Sequence, residues 1–462
     1  MSGMFGPKLA LARATGALSR RSGRGGGTTL PGRLLLRLAP DAISRLGAQL
    51  RGGSAIVSAT NGKTTTAGML AAALRAAGRV PVHNRAGSNM TWGVATALLE
   101  QRGDEGLFEV DEAWLPRIAA ELKPRLIVLG NLFRDQLDRY GELEHLADEW
   151  AELVAALAGQ TGFALNADDP LIADLGRDRE LARRPGVTYF GIDDPSQALP
   201  ALQHAFDAKH CRRCGAPYVY ERAFVGHLGH YSCPRCHADR PQADVAATRI
   251  DLEGMRGSRV TVRTPEGETE LRLPLPGLYN VYNALAALTA ALRLGIPLER
   301  AASALGEMKA MFGRVETIEV DGKAVSILLI KNPAGANEVL RTLLLEAHVS
   351  GDPRGLDLWI ALNDRIADGR DVSWVWDADF ELLAGQVRHV ACAGTRAAEM
   401  AVRLKYAGLP PETITVEEAI DRSLDRAVAS ADGSLFALPT YTALLELRNL
   451  LAKRGLARRY WA

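Results

Sequence analysis

Long apolar runs are missing from this chain. No stretch approaches the roughly 20 residues that a membrane-spanning helix needs, and no signal-peptide core with a small-residue cleavage site follows the early arginines. A cytoplasmic protein is expected. Net charge is missing too: 55 basic residues stand against 54 acidic ones, a balance that argues against a dedicated nucleic-acid binder. Cysteine is scarce, with five residues, four of them in two pairs. In a cytoplasmic chain this usage disfavours disulfides. Acid is nearly absent from the first 51 residues, where only Asp41 opposes nine lysines and arginines. With Phe5, Leu9, Leu11 and Leu18 interleaved, the start of this basic segment (residues 1–53) either rests on an anionic surface at the inner face of the membrane or stays solvated and partly disordered, and after the glycine-rich turn at 25–32 a helix is expected near 34–38. An apolar content of 47% over 462 residues suffices for full cores in two to three domains.

Chemistry begins at Ala55. The run Ala55-Ile-Val-Ser-Ala leads into Thr60-Asn61-Gly62-Lys63-Thr64-Thr65, and an Ala/Leu-rich periodic segment follows to Gly78. That succession predicts strand, loop and helix. The loop N–H groups and the positive helix end offer an anion site, Lys63 adds a charge for phosphate oxygens, and Thr64 can hold Mg2+. A nucleoside triphosphate is the expected ligand. The full phosphate-loop pattern wants a glycine six residues before the lysine, where Val57 stands, so this is a shorter variant.

Strand and helix patterns then alternate, with strands predicted at 79–82, 107–110, 126–129, 163–165 and 188–190, as a doubly wound sheet requires. Functional groups belong at the strands' carboxyl ends. Glu109, Asp111 and Glu112 end or follow the second of these strands. The block Asn131-Leu-Phe-Arg134-Asp135-Gln136-Leu-Asp138-Arg139 follows the third, and Asn166-Ala-Asp168-Asp169 the fourth. Glu109 is favoured as a Mg2+ ligand because chain order sets it beside Thr64.

Cys211-Arg-Arg-Cys214 and Cys233-Pro-Arg-Cys236 are separated by eighteen residues. Two such pairs suit tetrahedral thiolate coordination of Zn2+ by Cys211, Cys214, Cys233 and Cys236, a closed and therefore structural site. A hairpin is predicted over 251–273, then Tyr279-Asn280-Val-Tyr-Asn283 opens an Ala/Leu helix. Phe312-Gly313-Arg314 leads into a second alternating region with strands near 326–330, 356–362, 389–393 and 434–438. Between them lies Asn363-Asp364-Arg-Ile-Ala367-Asp368-Gly369-Arg-Asp371, followed by Trp374 and Trp376.

These blocks together resemble the Mur ligases. The resemblance implies an α/β fold: a Mur ligase-like central P-loop ATPase domain (54–310) with a four-cysteine zinc-ribbon insertion at about 203–243, then a Rossmann-like C-terminal domain (311–462). It implies that Asn280 and Asn283 meet the adenine and that Arg314 reaches the terminal phosphate. Ala59 stands where the family usually has Gly, and Gln136 and Tyr279 where it usually has His. The four-cysteine insert, the run Lys331-Asn332-Pro-Ala-Gly335, the block around Asp364 and the lack of the usual N-terminal UDP-binding domain narrow the resemblance to the MurT family. That implies ATP-dependent amidation of the α-carboxylate of D-glutamate in the lipid II stem peptide, through an acyl phosphate. Ammonia would come from a GatD-type glutaminase partner, whose active-site histidine Asp364 would orient. The alternative is a Mur-type or folylpolyglutamate-type ligase that adds an amino acid without a glutaminase. A zinc-ribbon NTPase acting on nucleic acid is disfavoured, since Arg212, Arg213 and Arg235 make too small a basic surface.

Overall fold

Ser54–Ser58 (β1) is buried at every position. Such a strand must be covered on both faces, as in a parallel sheet flanked by helices. The computed structural model describes residues 5–21, 28–84, 88–135, 143–177, 186–204, 206–308, 314–350 and 355–457. Pro81–His83 (β2), Glu105–Glu109 (β3), Leu126–Leu129 (β4), Gly162–Asn166 (β5) and Val187–Ile192 (β6) join β1. Val219–Val225 (β7) and Leu228–Ser232 (β8) make a separate hairpin, while Val245–Leu252 (β9), Ser258–Thr264 (β10) and Gly267–Leu273 (β11) extend the main sheet. Its nine strands run in the order β11-β10-β9-β6-β5-β4-β1-β3-β2, with β10 antiparallel to both of its neighbours, β9 and β11, and every other pair parallel. Because β1 has β3 on one side and β4 on the other, the loop after it opens at a topological switch point.

The period-2 alternation of β1 divides the core. Ala55 and Val57 face a cluster with Leu70 and Leu74 of the helix Lys63–Ala76 and Leu285 of the helix Leu278–Arg293. Ile56 faces the opposite cluster with Phe108, Ile127 and Trp150. Each such fully buried large side chain contributes about 1.5–3 kcal/mol. Phe5, Ala12, Leu35, Ile43 and Leu46 belong to this second cluster. The basic segment is therefore not a solvated terminus: over the described residues it forms the helices Phe5–Arg21, Leu30–Leu38 and Ala42–Gly47, packed beneath the sheet. Two of its cations bond backbone carbonyls, Lys8 Nζ to Leu38 O at 2.6 Å and Arg13 Nε to Leu99 O at 3.0 Å. Among the described residues no helix is long and apolar enough to cross a membrane.

A second sheet follows, built from Arg314–Val320 (β12), Lys323–Leu328 (β13), Leu356–Ala361 (β14), Val387–Ala393 (β15), Ile414–Val416 (β16) and Leu435–Pro439 (β17). Its order is β12-β13-β17-β14-β15-β16, parallel except for β12. Cys392 lies in β15 with its thiol pushed up to about 12 by burial, an inert core residue. The loops after β13, β14 and β17 meet the loop after β1.

Candidate active site between the two sheets

The loop after β1 turns through Gly62 at φ +92°. A Cβ there would lie 1.9 Å from Asn283 Oδ1, so only glycine lets the loop close on the helix that carries Asn283. The helix Lys63–Ala76 starts at the next residue, leaving its first amides without intrahelical acceptors. Thr60 and Asn61 are pinned by the loop after β4. Asn61 N donates to Asn131 Oδ1 at 2.9 Å, Asn131 Nδ2 to Asn61 O at 3.0 Å, and Phe133 N to the Thr60 hydroxyl at 3.1 Å.

One end of the cleft is charged. Thr64, Glu109, Asp111, Glu112, Asp135 and Asp368 line it together with Lys63 and Lys331. Lys63 Nζ bonds Glu112 Oε2 at 2.7 Å and Ala59 O at 2.5 Å. Burial works against its charge, but the carboxylates of Glu112, Asp111 and Glu109 outweigh that and raise its pKa. Burial likewise opposes the Glu112 charge, and Lys63 and Lys331 overcome it, lowering the Glu112 pKa. Glu109 is held at its backbone: its N–H donates to Asn84 Oδ1 at 2.9 Å and its C=O accepts from Asn84 Nδ2 at 2.7 Å. From the second sheet, Lys331 Nζ reaches Thr60 O at 3.0 Å and pairs with Asp135. Five carboxylates against two ammonium groups repel a bare polyphosphate, so this donor set suits a divalent cation held with it.

The other end is apolar. Phe133, Val225, Leu228, Leu275 and Val339 line it, beside Asn280 and Asn283. Asn280 Nδ2 braces the turn by donating to Pro276 O at 2.8 Å, and Asn283 Nδ2 donates to Asn280 Oδ1 at 3.0 Å. Asn283 Oδ1 accepts from the Thr66 hydroxyl at 3.3 Å, linking this helix to the helix Lys63–Ala76. Thr65 lines the same end. Arg314 pairs with Leu328 through the backbone, and its side chain lies outside the described residues, as do Gln136, Asp138 and Arg139.

The four predicted thiols converge. All four Sγ atoms lie within 4.8 Å of one another, with Cys211–Cys236, Cys214–Cys233 and Cys233–Cys236 each at 3.5 Å. A tetrahedron with Zn–S bonds of about 2.3 Å has edges of about 3.8 Å, so the cluster fits that ion and none of its members is disulfide-bonded. The neighbouring arginines are ion-paired within the chain: Arg212 and Arg213 both pair with Asp174. His227, on the turn between β7 and β8, is fully buried beside Asp169 Oδ2 at 3.4 Å.

Asp364 follows β14 on a separate, more exposed rim. Its oxygens accept from the Thr395 hydroxyl and from Arg396 Nε, each at 2.8 Å. The Thr395 hydroxyl most of all, with Arg396 beside it, holds its carboxyl below the ordinary range against the opposing effect of burial. Asp368, four residues on, turns inward and accepts from Thr442 N at 2.7 Å, with burial raising its pKa. Asp371 caps its own loop by accepting from Ser373 N at 2.8 Å. Sequence reasoning assigned no role to Glu112, Asn131 or Asn332, nor a phosphate-loop contact to Lys331. Their signal was position at strand ends, without a way to see which loops of the two sheets meet.

A phosphate loop at the switch point of a parallel sheet, closed by a second α/β domain, defines an enzyme of the Mur ligase type. Residues 57–213 match the family described as Mur ligase middle domain, and residues 329–444 the one described as MurT ligase C-terminal. The lipid II isoglutaminyl synthase (glutamine-hydrolyzing) subunit MurT of Streptococcus pneumoniae is 32% identical over 442 residues, 94% of each chain. Its counterpart in Staphylococcus aureus is 30% identical over 454 residues, 96% of each. A pseudomurein peptide ligase type C from Methanothermus fervidus shares the fold with a TM-score of 0.69 at 22% identity, covering 89% of this chain and 80% of its own. The chain belongs to the MurT family.

Proposed function

We propose that this chain is the ATP-using subunit of a lipid II isoglutaminyl synthase, amidating the α-carboxylate of D-glutamate in the stem peptide to give D-isoglutamine. The observation that carries the reading is the pairing, on one loop after β14, of an inward carboxylate in the charged cleft, Asp368, with an outward one on the rim, Asp364. A carboxylate is a poor electrophile. Transfer of the γ-phosphoryl group of ATP to one of its oxygens gives an acyl phosphate and ADP. Ammonia then attacks the carbonyl carbon, the carbon–oxygen bond to phosphate breaks, and the nitrogen loses a proton.

Residues Thr60 to Thr65 cradle the phosphates, Lys63 and Arg314 offset their charge, and Asn280 and Asn283 border the base. Glu109 and Thr64 hold Mg2+, which neutralises charge in phosphoryl transfer. Cys211, Cys214, Cys233 and Cys236 hold a structural Zn2+. Ammonia comes from a GatD-type glutaminase, whose histidine Asp364 orients and charge-stabilises. Support for docking there comes from the helix Ala397–Tyr406, which starts beside Asp364 and exposes Val402 and Tyr406, with the Trp376 ring tilted against Tyr406 at 5.9 Å between centroids. Aromatic side chains of this kind anchor protein interfaces. The protein works at the cytoplasmic face of the membrane, where lipid II is presented.

Mass spectrometry of lipid II after incubation with ATP and glutamine, with and without the glutaminase, tests this. Mass loss of about 1 Da at glutamate, dependent on both proteins, is expected from replacing OH by NH2. Addition of a whole amino acid without the partner would instead establish an amino-acid ligase.

A further inference from the structure

Glu338 is an acid in a place built for apolar surface. It lies in the helix Pro333–Ser350 and lines the apolar end of the cleft with Val225, Leu228, Leu328 and Val339, at 2% exposure. Among the described residues it is the one carboxylate lining that end. Its Oε1 accepts from Arg341 Nη1 at 2.7 Å, and the same nitrogen donates to Phe224 O at 2.8 Å, fixing the pair against the β7–β8 hairpin. Among the described residues no donor reaches Oε2. Burial raises the pKa of Glu338, and Arg341 pulls it back.

A carboxylate accepts hydrogen bonds and, ionised, donates none, so an oxygen without a protein donor at the cleft lining offers an acceptor to a ligand N–H. Other polar groups nearby are engaged: Asn280 and Asn283 with each other, and the Tyr282 hydroxyl with Asp168 at 2.7 Å. A flat heterocycle suits the apolar walls, and adenine offers a 6-amino donor where inosine has a carbonyl.

We propose that Glu338 is the specificity-determining acceptor for the 6-amino group of the nucleotide base. This rests on the reading of the cleft as an ATP site. In Glu338→Gln, Arg341 still demands an acceptor, so the amide oxygen stays on Arg341 and the NH2 turns to the cleft. The variant then faces the base with a donor, which suits a 6-oxo purine.

Equilibrium binding of ATP, ITP and 2′-deoxy-ATP to the full chain, wild type and Glu338→Gln, tests this. The wild type should bind ATP at least about tenfold more tightly than ITP, the factor expected for one charge-assisted bond. In Glu338→Gln that ratio should fall below one, with 2′-deoxy-ATP tracking ATP in both proteins. An unchanged ATP/ITP ratio overturns the assignment, as does equal ATP and ITP binding by the wild type, a comparison that needs no variant. A loss confined to discrimination against 2′-deoxy-ATP would overturn it in favour of ribose contact. Binding of ATP with any of these outcomes leaves the ATP site standing, whereas a wild type that binds no nucleotide overturns both.

Discussion

Asn61 and Asn332, 271 residues apart, exchange two side-chain hydrogen bonds of 3.1 and 3.0 Å. Asn332 is 1% exposed and also caps its own helix by accepting from Gly335 N at 2.9 Å. The phosphate loop of one sheet is thereby latched to the loop after β13 of the other. Asn332→Ala strands the Asn61 amide and frees the cap, which should destabilise the closed form by about 1–3 kcal/mol. Calorimetric titration should report weaker ATP binding, with the melting of the ATPase domain little changed.

Lys63→Met should abolish ATP turnover and also destabilise the fold, because Glu112 is left buried without its partner at a cost of about 3–5 kcal/mol. Lys63→Met/Glu112→Gln should recover most of the stability and none of the turnover. Glu109→Ala should lose turnover with near-normal melting. Denaturant unfolding and an ADP-release assay separate these effects.

Elemental analysis should find one zinc per chain, and Cys233→Ser should lose it. The hairpin walls the base end of the cleft through Val225 and Leu228, so chelation should also weaken nucleotide affinity. Mass mapping that finds a disulfide among these cysteines would contradict the site.

Asp364→Asn should cut glutamine hydrolysis by about 10²–10⁴-fold while sparing amidation driven by free ammonia, as measured by glutamate release and lipid II mass. Its pH behaviour follows from the hydrogen bonds. A depressed carboxyl stays ionised above its folded value and loses that favourable contribution only as pH falls through it. Thr395→Val removes the largest cause of the depression. Its acid limb for glutamine hydrolysis should therefore move to higher pH, with a rate at pH 7 within about twofold of wild type.

Parallel strands were the most legible elements. The apolar run at 126–129 is β4 residue for residue, since a strand buried on both faces must be apolar throughout. The cysteines were equally plain, because ligand spacing is local. Of the N-terminal helices only the one near 34–38 was expected: arginines dominate the composition, and the thin buried stripe of Phe5, Ala12, Leu35 and Ile43 is spread over three helices. The strand β12 was missed although Arg-Val-Glu-Thr-Ile-Glu-Val alternates, its short run hidden among charges at a sheet edge. Asn332 and Glu338 were beyond reach for another reason. Each has its meaning only against residues brought to it by tertiary folding, Asn61 and the β7–β8 hairpin.

The loop after β14 sets a length for the proposed chemistry. Asp364 on the rim and Asp368 in the cleft are four positions apart, a stretch that spans at most about 14 Å when fully extended. On the proposed reading, a nitrogen released beside Asp364 and consumed beside Asp368 has a transit of only a few molecular diameters. So short a path favours capture over escape into water, where protonation to ammonium would silence the nucleophile. Glutamine consumed and lipid II amidated should then run close to one to one, and insertions that lengthen 365–367 should loosen that stoichiometry before they lower either rate.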